Sequence, residues 1–351
     1  MPSFAPRLRA AVLCARFLLL LCAAVTLASA VAHAQCSSAP TRDVMFGTAI
    51  STAYFNGRVT GAPRARYLAE IQRDFRMVTL ENAGKMWSYR PSRDGYSWGD
   101  IDAIVAWARA HGIALKFHAL LYDLPDKRPQ WYRALSPDER YRALEEHVRT
   151  TVRRYAGDFV AWDVANEPLT SSESDYFGTG RPRLEVIANA FKWARAEDKR
   201  GLLVLNEQVP VGDDDKAESL IALANALEAY GAPVQAIGLQ SHYLDGTVPP
   251  AKDIVGFIRH LSCATHLPVQ VTEFDVASTG KSDWPMVQAK LYRRAIGAFI
   301  AAGVDRITLW GFYDGAHWKP GAGLFDDSFA PKPAYFALAD LLRAGRRRSV
   351  K

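Results

Sequence analysis

The 351-residue chain lacks the motifs that identify several common classes of enzyme. It has no HExxH sequence and no close pair of histidines, which disfavours a metal-dependent hydrolase. It has no GxSxG sequence, which disfavours a serine hydrolase. No cofactor fingerprint is visible, and no glycine-rich phosphate loop follows the first predicted strand. We therefore expect a protein that works without a metal or a cofactor.

The chain also lacks a basic face that could bind nucleic acid. Its formal net charge of +6 includes three arginines in the first 34 residues, which hold no acid, and five positive charges in the C-terminal stretch RAGRRRSVK. The rest of the chain has a net charge of about −2, so we expect no nucleic-acid partner. The basic tail at 346–351 is interpreted as a solvated end, with a binding role as the alternative.

The N-terminus contains an apolar run, FLLLLCAAVTLASAV, that is too short to favour a permanent membrane span. Arginines precede this run and the small-residue site ending at Ala34 follows it. This three-part pattern predicts a secretory signal peptide over 1–34, cleaved after Ala34. A lipoprotein anchor is disfavoured because Gln35 precedes Cys36. We expect a secreted or periplasmic protein that has no membrane association in its mature form.

Cysteine is scarce, with four in the whole chain and two of these inside the predicted signal peptide. The two that remain, Cys36 and Cys263, could form one disulfide that ties down the N-terminal arm in an oxidising compartment. The spacing does not show whether they meet, so both the bridged and the unbridged states stay open.

Apolar, β-rich runs alternate with segments of helical period along the rest of the chain. The runs predict eight strands, at 44–50, 75–80, 113–119, 158–165, 202–206, 234–240, 267–274 and 306–312. Among the helical segments, 136–155 opens with the capping box of Ser136 and Glu139. Continuous apolar strands indicate a parallel sheet buried on both faces. Eight such units without an internal linker predict a single-domain α/β (β/α)8 TIM barrel at 35–345, with an open doubly wound sheet as the alternative.

Polar and aromatic residues follow one predicted strand after another, at the end where barrel enzymes carry their active sites. They are Glu81, Asn82 and Lys85; His118; Asn166 and Glu167; Asn206 and Glu207; Gln240 and His242; Glu273 and Asp275; and Trp310 and Trp318. Each alone could be a core residue, a helix cap or a surface charge, but their joint position at one rim indicates a site. Two carboxylates on separate strands, with amides, histidines and tryptophans around them, fit glycoside hydrolysis.

These segments resemble glycoside hydrolase family 10, the retaining endo-β-1,4-xylanases, from about residue 46 to residue 335. The matching pieces occur in the family's order: VTLENAGK (78–85), HALL (118–121), WDVANEP (162–168), IGLQSHY (237–243), VTEFD (271–275), LWGFYDGAHW (309–318) and LFDDSFAPKPAY (324–335). The combination is specific because separate segments must fall at the correct strand ends.

The resemblance implies a role for each matching residue. Glu167 would be the general acid/base and Glu273 the nucleophile. Asn166 would bind the 2-hydroxyl of the sugar under attack, while His242 would orient Glu273. Asp275 would lie behind His242, and Gln240 would join the same network. The residues expected to bind substrate are Glu81, Asn82, Lys85, His118, Tyr122, Asn206, Trp310 and Trp318.

The chain departs from the family pattern near the glycone side of the site. The family usually has a Trp-His pair where this chain has Tyr122 and Asp123, and commonly Asn-Asp-Tyr where it has NEQ at 206–208. The tryptophan after Lys85 is displaced by one position. We expect a monomeric endo-1,4-β-xylanase that acts on xylan by double displacement. The alternatives are the same mechanism on another β-linked glycan or an aryl glycoside, and a non-catalytic glycan-binding barrel.

Overall fold

The structure is a computed structural model, and it describes residues 44–171, 174–278, 280 and 283–339. The predicted signal peptide, Cys36 and the basic tail lie outside the described residues. The cleavage site, the Cys36–Cys263 bridge and the domain bounds therefore stay predictions.

The strands of the described residues form a closed parallel barrel. They are β1 (Met45–Ile50), β2 (Met77–Leu80), β3 (Ala114–Tyr122), β4 (Phe159–Asn166), β5 (Leu202–Glu207), β6 (Ala236–Leu239), β7 (His242–Leu244), β8 (Val269–Ala277) and β9 (Arg306–Leu309). Each pairs in parallel with the next in the order β6-β5-β4-β3-β2-β1-β9-β8, and pairing of β6 with β8 closes the ring. The predicted (β/α)8 TIM barrel is confirmed.

The short strand β7 is a separate element, whereas the sequence predicts one strand at 234–240. It pairs with β8 beyond the point where β6 does, with His242 opposite Asp275. β6 and β7 therefore occupy one position in the barrel, interrupted at Gln240 and Ser241. Ser241 has a φ of 63°, in the left-handed region, which breaks the alternation of an extended strand.

Helices follow the strands and cover the outside of the sheet. The α-helices with both ends among the described residues are α1 (Gly61–Asp74), α2 (Met86–Tyr89), α3 (Gly99–His111), α4 (Gln130–Arg133), α5 (Pro137–Arg154), α6 (Arg183–Glu197), α7 (Asp214–Ala229), α8 (Ala251–Thr265) and α9 (Trp284–Ala301). The predicted capping box of Ser136 and Glu139 at the start of α5 is confirmed. Within the described ranges, no helix combines the length and the apolar character needed to cross a membrane.

Aromatic packing makes the wall beneath the strand ends rigid. Trp162 on β4 is fully buried, and its ring lies 5.1 Å from that of Phe117 on β3 and 5.0 Å from that of Phe159. Its indole N–H donates to Asp198 Oδ2 at 3.0 Å, so its one polar atom is satisfied. A tightly packed wall of this kind holds the ends of β3 and β4 in fixed positions.

Candidate active site

The C-terminal ends of the barrel strands surround a cavity of about 290 Å³. The residues that line it are Glu81, Asn82, Lys85, His118, Tyr122, Asn166, Glu167, Gln240, His242, Glu273, Trp310 and Trp318. Every one of them belongs to the set predicted from sequence. Two predicted residues, Asn206 and Asp275, are fully buried and lie behind the cavity wall.

The segment WDVANEP turns sharply where β4 ends. Asn166 is the last strand residue, and Glu167 adopts a left-handed conformation with φ 49° and ψ 44°. Pro168 then begins a 3-10 helix, Pro168–Thr170. A left-handed non-glycine residue costs on the order of 1–3 kcal/mol, and such strain is typical of functional sites. The turn ends the strand and leaves the Glu167 side chain in the cavity lining.

The buried side chain of Glu207 stabilises this turn by hydrogen bonding. Its carboxylate accepts the backbone N–H of Leu169 at 3.0 Å and that of Gln208 at 2.9 Å, and it pairs with Lys216 Nζ at 3.1 Å. Burial raises the pKa of Glu207, opposed by these donors. Glu207 therefore fixes the chain just after Glu167 rather than serving only as a helix cap.

The Glu167 carboxyl receives side-chain amide donors. Gln240 Nε2 donates to Glu167 Oε1 at 2.7 Å and lies 3.3 Å from Asn166 Oδ1. Asn166 Nδ2 approaches the same Glu167 oxygen at 3.4 Å. The sequence predicts that Gln240 joins the network around Glu273; its amide contacts Glu167 and Asn166, and Asn166 is linked to Glu273 through Asn206.

Asn206 connects the two halves of the site from a buried position. Its Nδ2 donates to Asn166 Oδ1 and to Glu273 Oε1, both at 2.7 Å, and its Oδ1 accepts from Thr272 Oγ1 at 2.6 Å. The substrate-binding role predicted for Asn206 is therefore replaced by a positioning role. Space for it comes from Gly238, where a Cβ atom would collide with Asn206 Oδ1. Because Asn166 Oδ1 is occupied, the Asn166 N–H2 group is the part turned toward Glu167.

Glu273 on β8 is ionised over the whole working range of pH. It is only 4% exposed, and this burial by itself would raise its pKa. The nearby charge of His118, the hydrogen bond and charge of His242, and the charge of Lys116 outweigh burial and lower the pKa to about 2. His242 Nε2 lies 3.3 Å from Glu273 Oε2. A buried carboxylate kept unprotonated in this way suits a nucleophile.

A buried charged group behind His118 was missed by the sequence reasoning. Asp163 Oδ2 lies 2.9 Å from His118 Nδ1, and Asp163 Oδ1 lies 2.9 Å from Lys116 Nζ. All three side chains are at most 2% exposed. The available signal was the charge itself, since Lys116 and Asp163 interrupt strands that are otherwise apolar. Among the described residues, no three or more His, Cys, Asp or Glu side chains are grouped to hold a metal ion.

His242 lies between two carboxylates. Its Nδ1 is 3.0 Å from Asp275 Oδ2, and Asp275 also accepts from Trp318 Nε1 at 2.7 Å and Lys319 Nζ at 3.3 Å. Burial tends to lower the pKa of His242, but the hydrogen bonds and charges of Asp275 and Glu273 raise it to about 9. His242 is therefore protonated at neutral pH, with Nε2 hydrogen-bonded to Glu273 and Nδ1 ion-paired with Asp275.

Because the pKa of His242 is raised, we predict that the free energy of unfolding falls as the pH rises toward the pKa of this residue in the folded protein. The unfolded chain loses this proton near pH 6.5, whereas the folded protein keeps it to about pH 9. The contribution, roughly 3 kcal/mol, is complete below about pH 6.5 and is lost as the pH passes through about 9. Urea unfolding at pH 6 and pH 9.5 should show this fall in the free energy of unfolding for the parent and a smaller fall for His242→Gln.

The matched control is His260→Gln, because the His260 side chain is 54% exposed and pairs with Glu218, which is also exposed. It should keep the parent's full pH dependence. An equal fall in the parent and in His242→Gln would contradict the assignment of this proton to His242.

Aromatic rings and the ammonium group of Lys85 form another part of the cavity lining. Lys85 Nζ lies 5.9 Å from the ring centroid of Trp87 and 5.7 Å from that of Tyr122. Burial lowers the pKa of Lys85. Trp310 is buried, with its ring edge-on to His118 at 5.0 Å, while Trp318 is 52% exposed. Flat rings of this kind can stack on the apolar faces of sugars, and the surrounding polar groups can bind hydroxyls.

Asp123, the second departure from the family pattern, does not line the cavity. Its buried carboxylate forms a two-point ion pair with Arg128, at 2.7 and 2.8 Å, and accepts the backbone N–H of Phe177 at 2.8 Å. Asp123 therefore ties the end of β3 to the 3-10 helix Tyr176–Gly178. Its effect on the site is to hold a neighbouring loop in place.

A sequence profile described as "Glycosyl hydrolase family 10" matches residues 37–341. The chain belongs to this family. It is 29% identical over 289 residues to "Endo-1,4-beta-xylanase 3" of Hypocrea jecorina, covering 80% of this chain and 79% of that protein. It is 27% identical over 338 residues to "Thermostable celloxylanase" of Thermoclostridium stercorarium, covering 84% of each. The predicted membership of a glycosidase family is confirmed.

The fold is shared with solved structures of low sequence identity. Native xylanase 10B from Thermotoga maritima matches with a TM-score of 0.77 at 24% identity, over 87% of this family 10 chain and 97% of the other.

Proposed function

We propose that this family 10 glycosidase is an exported endo-1,4-β-xylanase that hydrolyses internal bonds of xylan with retention of configuration. The observation that supports this most directly is the pair of carboxyls, one just after β4 and one within β8, which line one cavity in different surroundings. Glu273 is held ionised by His118 and His242, while Glu167 receives amide donors. One carboxylate fit for attack and one carboxyl placed for proton transfer are what a retaining glycosidase requires.

In the first step Glu273 attacks the anomeric carbon of the bound sugar. Glu167 gives its proton to the glycosidic oxygen, the bond between that oxygen and the anomeric carbon breaks, and the reducing-end fragment leaves. The Asn166 amide is placed to donate to the 2-hydroxyl, because its oxygen is already engaged by Asn206. Hydrogen bonds to the 2-hydroxyl are the ones that strengthen in the transition state of glycoside hydrolysis.

In the second step water attacks the glycosyl-enzyme. Glu167, now a carboxylate, takes a proton from this water, and the bond between the sugar and Glu273 breaks. Two inversions at one carbon give net retention. The protonated His242 stabilises the Glu273 carboxylate when it is released, since its Nε2 donates to Glu273 while Asp275 holds the ring by an ion pair with Nδ1.

Xylan as substrate is supported by the relatives' names, and one name keeps an alternative open. "Endo-1,4-beta-xylanase 3" names a protein that acts on xylan. The name "celloxylanase" indicates action on cellulose-type glucan as well. The second candidate is therefore the same chemistry on another β-linked glycan. Export by the N-terminal signal peptide and a monomeric state complete the proposal.

The test is hydrolysis of two polymers by the mature protein, with the anomer of the first product followed by NMR. We expect reducing ends to be released from xylan and not from carboxymethylcellulose, with the β-anomer formed first. Equal release from both polymers would contradict xylan specificity. Initial formation of the α-anomer would contradict double displacement.

A further inference from the structure

Two consecutive residues of the neighbouring strand β5 hold the turn that carries Glu167. The backbone N–H of Glu167 donates to the carbonyl oxygen of Asn206 at 2.9 Å, and the backbone N–H of Leu169 donates to Glu207 Oε2 at 3.0 Å. Pro168, which lies between them, has no N–H to donate. A carbonyl and a carboxylate on β5 therefore hold the chain at Glu167 and again two residues later.

Further hydrogen bonds shape the turn itself. The carbonyl oxygen of Glu167 accepts from the backbone N–H of Thr170 at 3.2 Å and from its hydroxyl at 2.6 Å. Arg183 on α6, from a half-buried position, donates to the carbonyl oxygens of Pro168 and Ser171 at 3.2 Å. Glu207 differs from these groups because it joins the turn to the barrel wall from a fully buried position.

The conformation of Glu167 makes such an anchor necessary. A non-glycine residue with φ 49° and ψ 44° is strained, and it stays in that conformation when its surroundings leave it no alternative. Glu207 is itself well fixed, since it also accepts the Gln208 N–H at 2.9 Å and pairs with Lys216 Nζ on α7 at 3.1 Å. Hydrogen bonds from backbone N–H groups to a carboxylate are stronger than those to a neutral acceptor.

We propose that Glu207 is a positioning residue for Glu167: by accepting the Leu169 N–H it fixes the turn, and with it the direction in which the Glu167 side chain enters the cavity. The inference rests on the proposed role of Glu167 as acid/base. Lys216 balances the buried charge of Glu207. The chain has glutamate where the family commonly has aspartate, and the extra methylene group carries the carboxylate further toward the turn.

The catalytic consequence follows from the distances that proton transfer requires. The Glu167 carboxyl lies 2.7 Å from Gln240 Nε2, and movement of the turn would lengthen this contact and displace the carboxyl from the glycosidic oxygen. Glu273 is held by partners on other strands, His242 and Asn206. Loss of the Glu207 anchor should therefore impair proton transfer by Glu167 and leave the attack by Glu273 intact.

Two matched double variants isolate the hydrogen bond to the turn. Glu207→Met/Lys216→Met removes the ion pair and both acceptor oxygens, with a side chain of similar length at 207. Glu207→Gln/Lys216→Met removes the same charges and keeps one acceptor oxygen, so the two variants differ in their hydrogen bonding to the turn. The control is Glu228→Gln, because Glu228 is an exposed glutamate on the same helix, α7.

The experiment measures kcat and KM with phenyl β-xylobioside, whose leaving group needs a proton, and with the 2,4-dinitrophenyl counterpart, whose leaving group does not. We expect kcat/KM for the phenyl substrate to fall by roughly 10²-fold in Glu207→Met/Lys216→Met, and by less in the glutamine variant. For the dinitrophenyl substrate, kcat/KM should stay within about threefold of the parent's value in both, while kcat falls because Glu167 must still activate water. Glu228→Gln should match the parent.

Equal losses of kcat/KM for the two substrates would indicate a general effect on the fold and would overturn the proposal, as would parent-like activity on the phenyl substrate in the methionine variant. Glu167→Ala, measured in the same assay, tests the proposed function by itself. Dependence on the leaving group in Glu167→Ala but in neither double variant would overturn the positioning role and leave the proposed function intact. Its absence from all three would overturn both.

Hydrogen exchange at the Leu169 amide gives a readout that is independent of the glycan. In 15N-labelled protein, this proton should exchange with solvent roughly tenfold faster or more in Glu207→Met/Lys216→Met than in the parent, because its acceptor is gone. The increase should be smaller in the glutamine variant. An identical exchange rate in the parent and in both variants would overturn the proposal whatever the activity.

Discussion

Replacement of Glu273 by alanine should lower kcat/KM on xylan by roughly 10⁴-fold or more, because it removes the group that forms the covalent intermediate. The loss should be similar for substrates with good and with poor leaving groups, since both need the attack on the anomeric carbon. Steady-state rates with phenyl and 2,4-dinitrophenyl β-xylobioside measure this comparison. Added azide should enter the space vacated by the carboxylate and form the α-glycosyl azide, with inversion.

Two controls separate loss of the nucleophile from loss of the fold. Glu228→Ala changes an exposed glutamate on α7 and should keep the parent's rate. Circular dichroism should show that Glu273→Ala remains folded, although Asn206 and His242 each lose a partner. Activity near that of the parent in Glu273→Ala, or formation of the β-glycosyl azide, would contradict the nucleophile assignment.

The positions of the site residues could be predicted from the sequence because strand ends are visible there. Asn166 and Glu167 follow an apolar run, and a buried strand has no other use for an amide and a carboxylate at its end. The same reasoning applies to Glu273. A parallel barrel brings all such ends to one rim, so a list of polar residues at strand ends becomes the lining of one cavity.

The hydrogen-bond partners within that lining could not be predicted in the same way. Gln240 and His242 are two residues apart, and an unbroken strand would point both in one direction. The left-handed conformation of Ser241 interrupts that alternation. The side chain of Gln240 accordingly contacts Glu167, whereas the side chain of His242 contacts Glu273. Both residues line the cavity that the sequence indicates. The expected cause, two side chains on the same side of an unbroken strand, does not hold because Ser241 interrupts the strand.

The burial of Asn206 shows a second limit of sequence reasoning. An asparagine at a strand end can point into a cavity or beneath it, and the choice depends on the space that neighbouring strands leave. Here Gly238 on β6 leaves room and Thr272 on β8 supplies a donor. Both partners come from other strands, at a register that the sequence does not reveal. Asn206 is fully buried for this reason and serves to link Asn166 with Glu273.

Replacement of Glu167 by alanine should produce a loss that depends on the leaving group. With xylan or phenyl β-xylobioside, kcat/KM should fall by roughly 10²–10⁴-fold, because the departing oxygen needs a proton. With 2,4-dinitrophenyl β-xylobioside the first step needs no acid, so kcat/KM should stay close to that of the parent. Its kcat should still fall, because hydrolysis of the glycosyl-enzyme loses the base. A burst of dinitrophenol before the steady state would show that the intermediate accumulates.

The product formed with azide distinguishes the role of Glu167 from the role of Glu273. In Glu167→Ala the anion can enter on the face from which water attacks the glycosyl-enzyme, so the product should be the β-glycosyl azide, with retention. The opposite anomers expected from the two variants follow from the opposite sides of the sugar on which the two carboxyls act. An equal loss for phenyl and dinitrophenyl substrates in Glu167→Ala would contradict its role as the acid. The α-azide from this variant would mean that the two roles are exchanged.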